Sequence, residues 1–198
     1  MLRHHIYFPL PLVLSFVEWS IFSLYWSAAA QNTSRAISSE SSRSRRVHQF
    51  LMNAALLLVV LPVPAWNRRL LPGVGWTAWL GLSIQTASVM LAVWARRHLA
   101  SYWSGEITIK VDHKLIRSGP YHFIRHPIYA AILGMFVGSS IVSGRYLAFC
   151  GVIIASFAYW RKIRLEESNL KHAFGPAYGI YKRQTGSLIP KPRPNVLE

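Results

Sequence analysis

Apolar residues along this chain come in long blocks, divided by short polar and basic intervals. The first block covers residues 6–30, the second 47–66, closed by Pro62 and Pro64, and the third 74–95, after the turn Pro72-Gly73. Each is long enough for a helix that crosses a bilayer, which takes about 20 residues. A polar stretch, 96–126, follows. The last block, 127–160, is broken at Ser143-Gly144-Arg145. It predicts a helical hairpin of 17 and 15 residues (127–143 and 146–160), short enough to tilt or only just cross. The remainder, 161–198, is polar. The pattern predicts an all-α integral membrane protein of about five transmembrane helices. Residues 1–95 hold three spans and a Ser-rich loop, and 96–198 hold the polar loop, the hairpin and the tail.

Smaller elements show between the blocks. Ile107, Ile109 and Val111 alternate with Thr108 and Lys110, and Asp112-His113 can turn the chain before Leu115-Ile116. That reads as a β-hairpin or an extended lid over 106–116. The loop 31–46 has little to bury and reads as flexible. In the tail, Ile163, Leu170, Ala173 and Phe174 recur at helical spacing, Glu167 and Lys171 stand at i, i+4, and Gly175-Pro176 ends the helix. A second short helix then carries Tyr178 and Tyr181 before Pro190. Arg3 followed by an apolar run imitates a signal peptide, but the run is long and contains Glu18, so a retained first span is the better reading.

Composition agrees with the pattern: 52% of residues are hydrophobic and 15% charged. The formal net charge of +15 is not a nucleic-acid footprint, because the bases flank apolar blocks and form no stripe. With five spans and the N-terminus outside, the inside segments 31–46, 96–126 and 161–198 carry 18 of the 22 Lys and Arg, and only Arg3, Arg68, Arg69 and Arg145 fall outside. Loops that retain positive charge on the cytoplasmic side set orientation. The polar loop and the tail are therefore expected in the cytoplasm. The sequon Asn32-Thr33-Ser34 then lies inside and reads as chance. Cys150 has no intrachain partner, so the chain has neither a disulfide framework nor a cysteine metal site.

Candidate chemistry concentrates at the mouth of the fourth helix. Lys114, Arg117 and Arg125 stand with His113, His122 and His126 in the run His113–Tyr129, which enters the apolar block at Pro127. Proline suits the first turn of a helix, and the helix start favours an anion. Chemistry alone leaves this segment open between a site and an interfacial anchor whose Arg, His and Tyr reach the headgroups. Glu166-Glu167 adjoin in a chain of seven acids. They suit general acid–base work or a solvated helix face, and adjacency lets only one point into a given site. Glu18, midway along the first span, reads as a hydrogen-bonded packing group more readily than as a ligand. The histidines have cationic neighbours and no supporting cysteine, so no metal site is expected.

The pattern His113-x-Leu115-x-x-x-Gly119-x-Tyr121-x-x-x-Arg125-His126-Pro127-x-Tyr129 closely resembles the isoprenylcysteine carboxyl methyltransferase family. So does Glu166-Glu167-x-x-Leu170-x-x-x-Phe174-Gly175-x-x-Tyr178-x-x-Tyr181, ending in Ile189-Pro190. The resemblance covers about residues 90–190. It implies an integral membrane enzyme that uses S-adenosylmethionine, bound in a cytoplasmic-side pocket closed by the polar loop and the tail. Carried over by position, cofactor contacts fall at Glu106, His113, Lys114, Leu115, Ile116, Tyr121, Arg125, His126, Pro127, Ile128, Tyr129 and Glu166. Two departures stand out. Ala131 replaces a frequent Gly, and Lys162, beside Arg161, replaces an Arg proposed to hold the acceptor carboxylate. A Lys loses the bidentate grip of a guanidinium.

The resemblance implies methyl transfer to a lipid-embedded acceptor, most simply a carboxylate, with Arg161 and Lys162 positioning it. A lipid amine N-methyltransferase and a nicotinamide-dependent membrane lipid reductase are the alternatives, since related folds host both. A sulfonium donor carries its own leaving group, so alignment matters more than acid–base help. Aromatic faces at Tyr121 and Tyr129 suit the cation. Glu166 suits its amine or ribose hydroxyls. No C-terminal CaaX motif marks the chain as its own substrate.

Overall fold

The computed structural model describes residues 10–30, 36–39, 41–61, 68–72, 75–99, 108–110 and 115–191. Five helices carry the fold: α1 (Leu10–Ala30), α2 (Ser42–Val60), α3 (Trp76–Leu99), α4 (Pro127–Ser143) and α5 (Tyr146–Gln184). Two short strands, β1 (Ala36–Ser39) and β2 (Thr108–Lys110), and a 3-10 turn, Gly119–His122, complete the described elements. By length and composition, α1, α3 and α5 can each cross a membrane, and α4 is a shorter apolar helix of 17 residues. At 1.5 Å per residue α4 extends about 25 Å, just short of the hydrocarbon layer. α2, expected as the second span, is not among the helices long and apolar enough to cross, because it starts ahead of its apolar residues. Ser41 caps it, accepting from the Ser44 amide at 3.3 Å, and the basic first turn follows inside the helix.

Helix ends sort into two layers. At one end, Arg96 of α3 donates to the Ala29 carbonyl at the close of α1 at 2.6 Å, and Arg161 of α5 reaches Ser44 at the start of α2. At the other, Arg145 donates to the Val59 carbonyl of α2 at 2.5 Å, and the amides of Leu70 and Tyr146 bond Gly144 and Arg68. Arg68, Arg69 and Arg145, three of the four bases set apart by the charge count, thus gather at the end away from Arg96 and Arg161.

α3 and α4 form the most intimate pair. A Cβ on Gly138 would lie 2.6 Å from the Gly81 carbonyl, and one on Gly81 would lie 2.7 Å from the Gly138 carbonyl. Small residues let backbones touch where lipid supplies no hydrophobic drive between helices. Polar bonds fix the register. Gln85 accepts from Ser15 at 2.7 Å and Ser139 at 2.8 Å, and Trp19 donates to Ser139 at 2.8 Å, joining α1, α3 and α4. Glu18 meets the Thr86 hydroxyl of α3, in keeping with a packing role.

Three expectations change. The tail does not begin a new helix. α5 runs from the hairpin turn to Gln184, because nothing between Trp160 and Phe174 breaks it, and it kinks only at Gly175 (φ 51°), ahead of Pro176. Both Tyr178 and Tyr181 lie on the segment beyond the kink, as anticipated. β2 pairs antiparallel with β1 and not with Leu115-Ile116, so the Ser-rich loop supplies the partner strand. Finally, Glu167 makes no ion pair with Lys171. It turns to the elbow instead.

Candidate functional site

The turn from the polar loop into α4 is built as a rigid elbow. Pro120 lies second in the 3-10 turn and Pro127 starts α4, with His126 at the cap position. His126 makes no side-chain cap bond because its ring is used elsewhere. The tail is stitched to the elbow backbone. The amides of Arg125 and His126 donate to the carbonyls of Gly186 (2.9 Å) and Ser187 (3.1 Å). Tyr181 donates its hydroxyl to the Tyr121 carbonyl at 2.6 Å, and Arg117 donates to the Ala177 carbonyl at 3.2 Å.

Both glutamates reach the same imidazole from opposite sides. His126 Nδ1 lies 3.7 Å from Glu166 Oε2, and Nε2 lies 3.4 Å from Glu167 Oε1. This departs from the expectation that adjacency would admit one carboxylate only. Their roles still divide. Glu167 is the deeper, with 13% of its side chain exposed against 29% for Glu166. It accepts from Arg125 Nε at 2.9 Å and from Lys182 Nζ at 2.5 Å. Burial pushes its pKa up, but hydrogen bonds from His126, Lys182 and Arg125 outweigh this and hold it well below the usual carboxylate range. Arg125 also donates to the carbonyls of Lys182 and Thr185. Its guanidinium therefore pins the tail, a use that the resemblance to a cofactor contact did not anticipate.

Glu166 faces the other way. Its Oε2 accepts from the Tyr129 hydroxyl at 2.7 Å, and among the described residues its Oε1 has no partner. The Tyr129 ring is enclosed: His126 stacks on it at 5.4 Å, Tyr159 lies 4.8 Å away, and Lys162 Nζ sits 5.6 Å from its centroid. Its faces are thus occupied by protein, and what it contributes outward is its hydroxyl. Lys162 is 7% exposed. A buried ammonium over an aromatic ring is held by cation–π attraction. Tyr121, packed with Ala95 and Ile128, has its pKa raised by burial and by the negative charge of Glu166. Ile116 borders the same cluster.

The structure therefore brings Tyr121, His126, Pro127, Ile128, Tyr129, Lys162 and Glu166 to one place. Arg161 goes elsewhere, donating to the Ser44 carbonyl (3.2 Å) and hydroxyl (2.5 Å) on α2. Glu106, His113 and Lys114 lie outside the described residues, and Leu115 is half-buried just ahead of the elbow in sequence. Sequence reasoning missed Tyr159 and His48, whose ring meets Tyr159 edge-on at 5.3 Å. The spacing Tyr159-x-x-Lys162-x-x-x-Glu166 puts all three on one helical face and would have shown the first of them.

Residues 79–172 match the isoprenylcysteine carboxyl methyltransferase (ICMT) family. The matched segment holds His126, Tyr129, Lys162 and Glu166. The fold matches the solved structure of a eukaryotic intramembrane Ras methyltransferase, ICMT, with a TM-score of 0.63 at 20% identity, over 91% of this chain and 67% of that one. The cobalt-zinc-cadmium resistance protein CzcN of Cupriavidus metallidurans is 33% identical over 118 residues, which is 59% of this chain and 52% of CzcN. Protein-S-isoprenylcysteine O-methyltransferase of Rattus norvegicus is 25% identical over 186 residues, 87% of this chain and 64% of the rat protein. The chain thus spans between half and two thirds of the length of these two relatives.

Proposed function

We propose that this membrane protein is a member of the ICMT family and transfers the methyl group of S-adenosylmethionine to a carboxylate on a lipid-embedded acceptor, in the manner of isoprenylcysteine α-carboxyl methyl esterification. One observation carries the reading. Tyr129 stands between an acidic group, Glu166, and a cationic one, Lys162, which occupy the same face of α5 one turn apart. The acid suits a donor that offers an amine and ribose hydroxyls. The cation suits an acceptor carboxylate.

The residues present fit S-adenosylmethionine. Glu166 Oε1 is an acceptor with no partner among the described residues, on a side chain partly open to solvent. Tyr121 supplies an adjacent aromatic wall. When bound, the cofactor supplies an activated methyl on a sulfonium that carries its own leaving group. The chain's own work is then alignment. Tyr129 orients Glu166, and Glu167 with Arg125 holds the elbow and tail around the pocket. Lys162 positions an already ionised carboxylate where the last span meets the polar tail. The charge distribution supports a cytoplasmic elbow and tail and an external N-terminus.

Binding of radiolabelled S-adenosylmethionine by the purified protein, followed by transfer to an S-prenylated cysteine derivative, tests the reading. Saturable binding with base-labile methyl ester product is expected. Alkali-stable N-methyl product from a lipid extract, or no binding of the cofactor, would overturn it.

A further inference from the structure

A recess lies beside Glu167, lined by neither Tyr129 nor Glu166. It is a cleft of about 680 Å³, formed where α5 bends at Gly175 and lined by Arg164, Ser168, Lys171, Tyr178 and Lys182 as well as Glu167. That volume falls within the roughly 300–1,000 Å³ of small-molecule sites. Three cations face it against one carboxylate, and that carboxylate is already paired with Arg125 and Lys182. Arg164 and Lys171 have no acidic partner among the described residues. The wall also contains a donor with nothing to donate to. Tyr178 is 1% exposed, and its hydroxyl makes no hydrogen bond among the described residues. The two helical segments meeting at the kink present opposite dipole ends to each other, so side chains set the charge of the cleft.

Position within the helix says what kind of anion fits. Ile153, Phe157, Trp160, Arg164 and Lys171 follow one another at spacings of four, three, four and seven residues, which keeps them on one face of α5. The first three are exposed apolar groups on the part of the helix that spans the membrane. Trp160 stacks on Phe157, and the Arg164 guanidinium lies 5.2 Å from its ring centroid. A Trp capped by an Arg is the pattern of the membrane–water interface. Hydrocarbon surface therefore leads straight into the cationic cleft. An acyl chain along Ile153 and Phe157 would deliver a phosphate to Arg164 and Lys171.

We propose that this cleft binds the headgroup of an anionic glycerophospholipid, whose acyl chains lie along the outer face of α5. Its lining includes neither Tyr129 nor Glu166, and it does not depend on the methyl-transfer reading. The test is native mass spectrometry of the full-length, detergent-purified protein titrated with phosphatidylglycerol or phosphatidylcholine of identical acyl chains. The wild-type protein should retain phosphatidylglycerol about tenfold more tightly, since each basic group near such a headgroup contributes appreciably. The Arg164→Gln/Lys171→Gln double variant should bind both lipids alike. The charge-preserving Arg164→Lys/Lys171→Arg variant should keep the preference, which separates lost charge from lost folding. Tyr178→Phe should weaken phosphatidylglycerol without abolishing its preference. Equal binding of the two lipids by the wild-type protein, or an unaltered preference in the glutamine variant, would overturn the proposal. Displacement of phosphatidylglycerol by millimolar inorganic phosphate would overturn it too, by showing that the cleft takes a soluble phosphate.

Discussion

Replacing Glu167 by Gln removes the charge on which the elbow and the tail converge. The side chain is 13% exposed and meets Arg125, 8% exposed, at 2.9 Å. Breaking a buried ion pair on one side typically costs about 3–5 kcal/mol, because the partner charge stays buried. Three corrections lower that figure here. Arg125 keeps carbonyl acceptors on Lys182 and Thr185, and Lys182 is half-exposed and contributes little. An amide also retains one acceptor oxygen. About 2 kcal/mol remains, and it falls on the docking of residues 176–191 against 121–126. The expected result for Glu167→Gln is an apparent melting temperature lowered by several degrees, at roughly 2–4 °C per kcal/mol. Tail cleavage by a protease should also speed up, with or without cofactor. Glu166→Gln is the control. It should weaken S-adenosylhomocysteine binding tenfold or more, as loss of a charge-assisted bond costs about 1.5–3 kcal/mol, while leaving tail protection unchanged. If Glu167→Gln leaves protease protection intact, or if the two variants lose cofactor affinity equally without any loss of stability, the division of labour between the glutamates is wrong.

Acid should reproduce the Glu167 effect. Its folded pKa lies below the ordinary value of 4.5, so its contribution is complete above that value and drains away as pH falls below it, visible as growing tail proteolysis; protection that declines on raising pH instead would reverse the sign. Lys162→Ala should raise KM for a carboxylate acceptor with a smaller effect on cofactor affinity, and a fall in KM would favour an amine acceptor. Gly138→Ala forces a methyl group to within 2.6 Å of the Gly81 carbonyl, and should destabilise the detergent-purified protein by about 1–3 kcal/mol on thermal unfolding, against near-neutrality for Gly179→Ala on the open face of the tail. Cysteines placed at Ser42 and Lys171 should resist an impermeant reagent in intact cells, and labelling of both from outside would invert the proposed orientation.

Much of the architecture was readable because its causes are local. Block length, the break at Ser143-Gly144-Arg145 and the charge count depend on residues close in sequence, and the helices appear close to where the blocks lie. The kink at Gly175-Pro176 was likewise visible, though not that α5 would continue through Arg161 without pause. A polar stretch ends a span without ending a helix, and composition registers only the former. The site was legible where the motif is contiguous, at His126 to Tyr129. It was less so where contacts are long-range. Arg125 looked like an anion ligand until its partners turned out to be Glu167 and the tail carbonyls. Arg161 and Lys162, adjacent in sequence, diverge to α2 and to Tyr129 because successive helical residues point about 100° apart. The strand partner of residues 108–110 lies some seventy positions upstream, beyond the reach of any local pattern.

The unbroken run of α5 makes it a lever. From Tyr146 to Glu166 it extends about 30 Å at 1.5 Å per residue. Swinging such an arm by ~10° about its hairpin end carries the carboxylate sideways by ~5 Å, several times the tolerance of the 2.7 Å Tyr129–Glu166 bond. Tilt is the ordinary response of a helix to a bilayer that is thinner or thicker than its apolar length. α4, short and held to α3 by touching backbones, cannot follow freely. Membrane thickness therefore bears on the Tyr129–Glu166 geometry as a mechanical variable, transmitted through a single arm pivoting at its hairpin end.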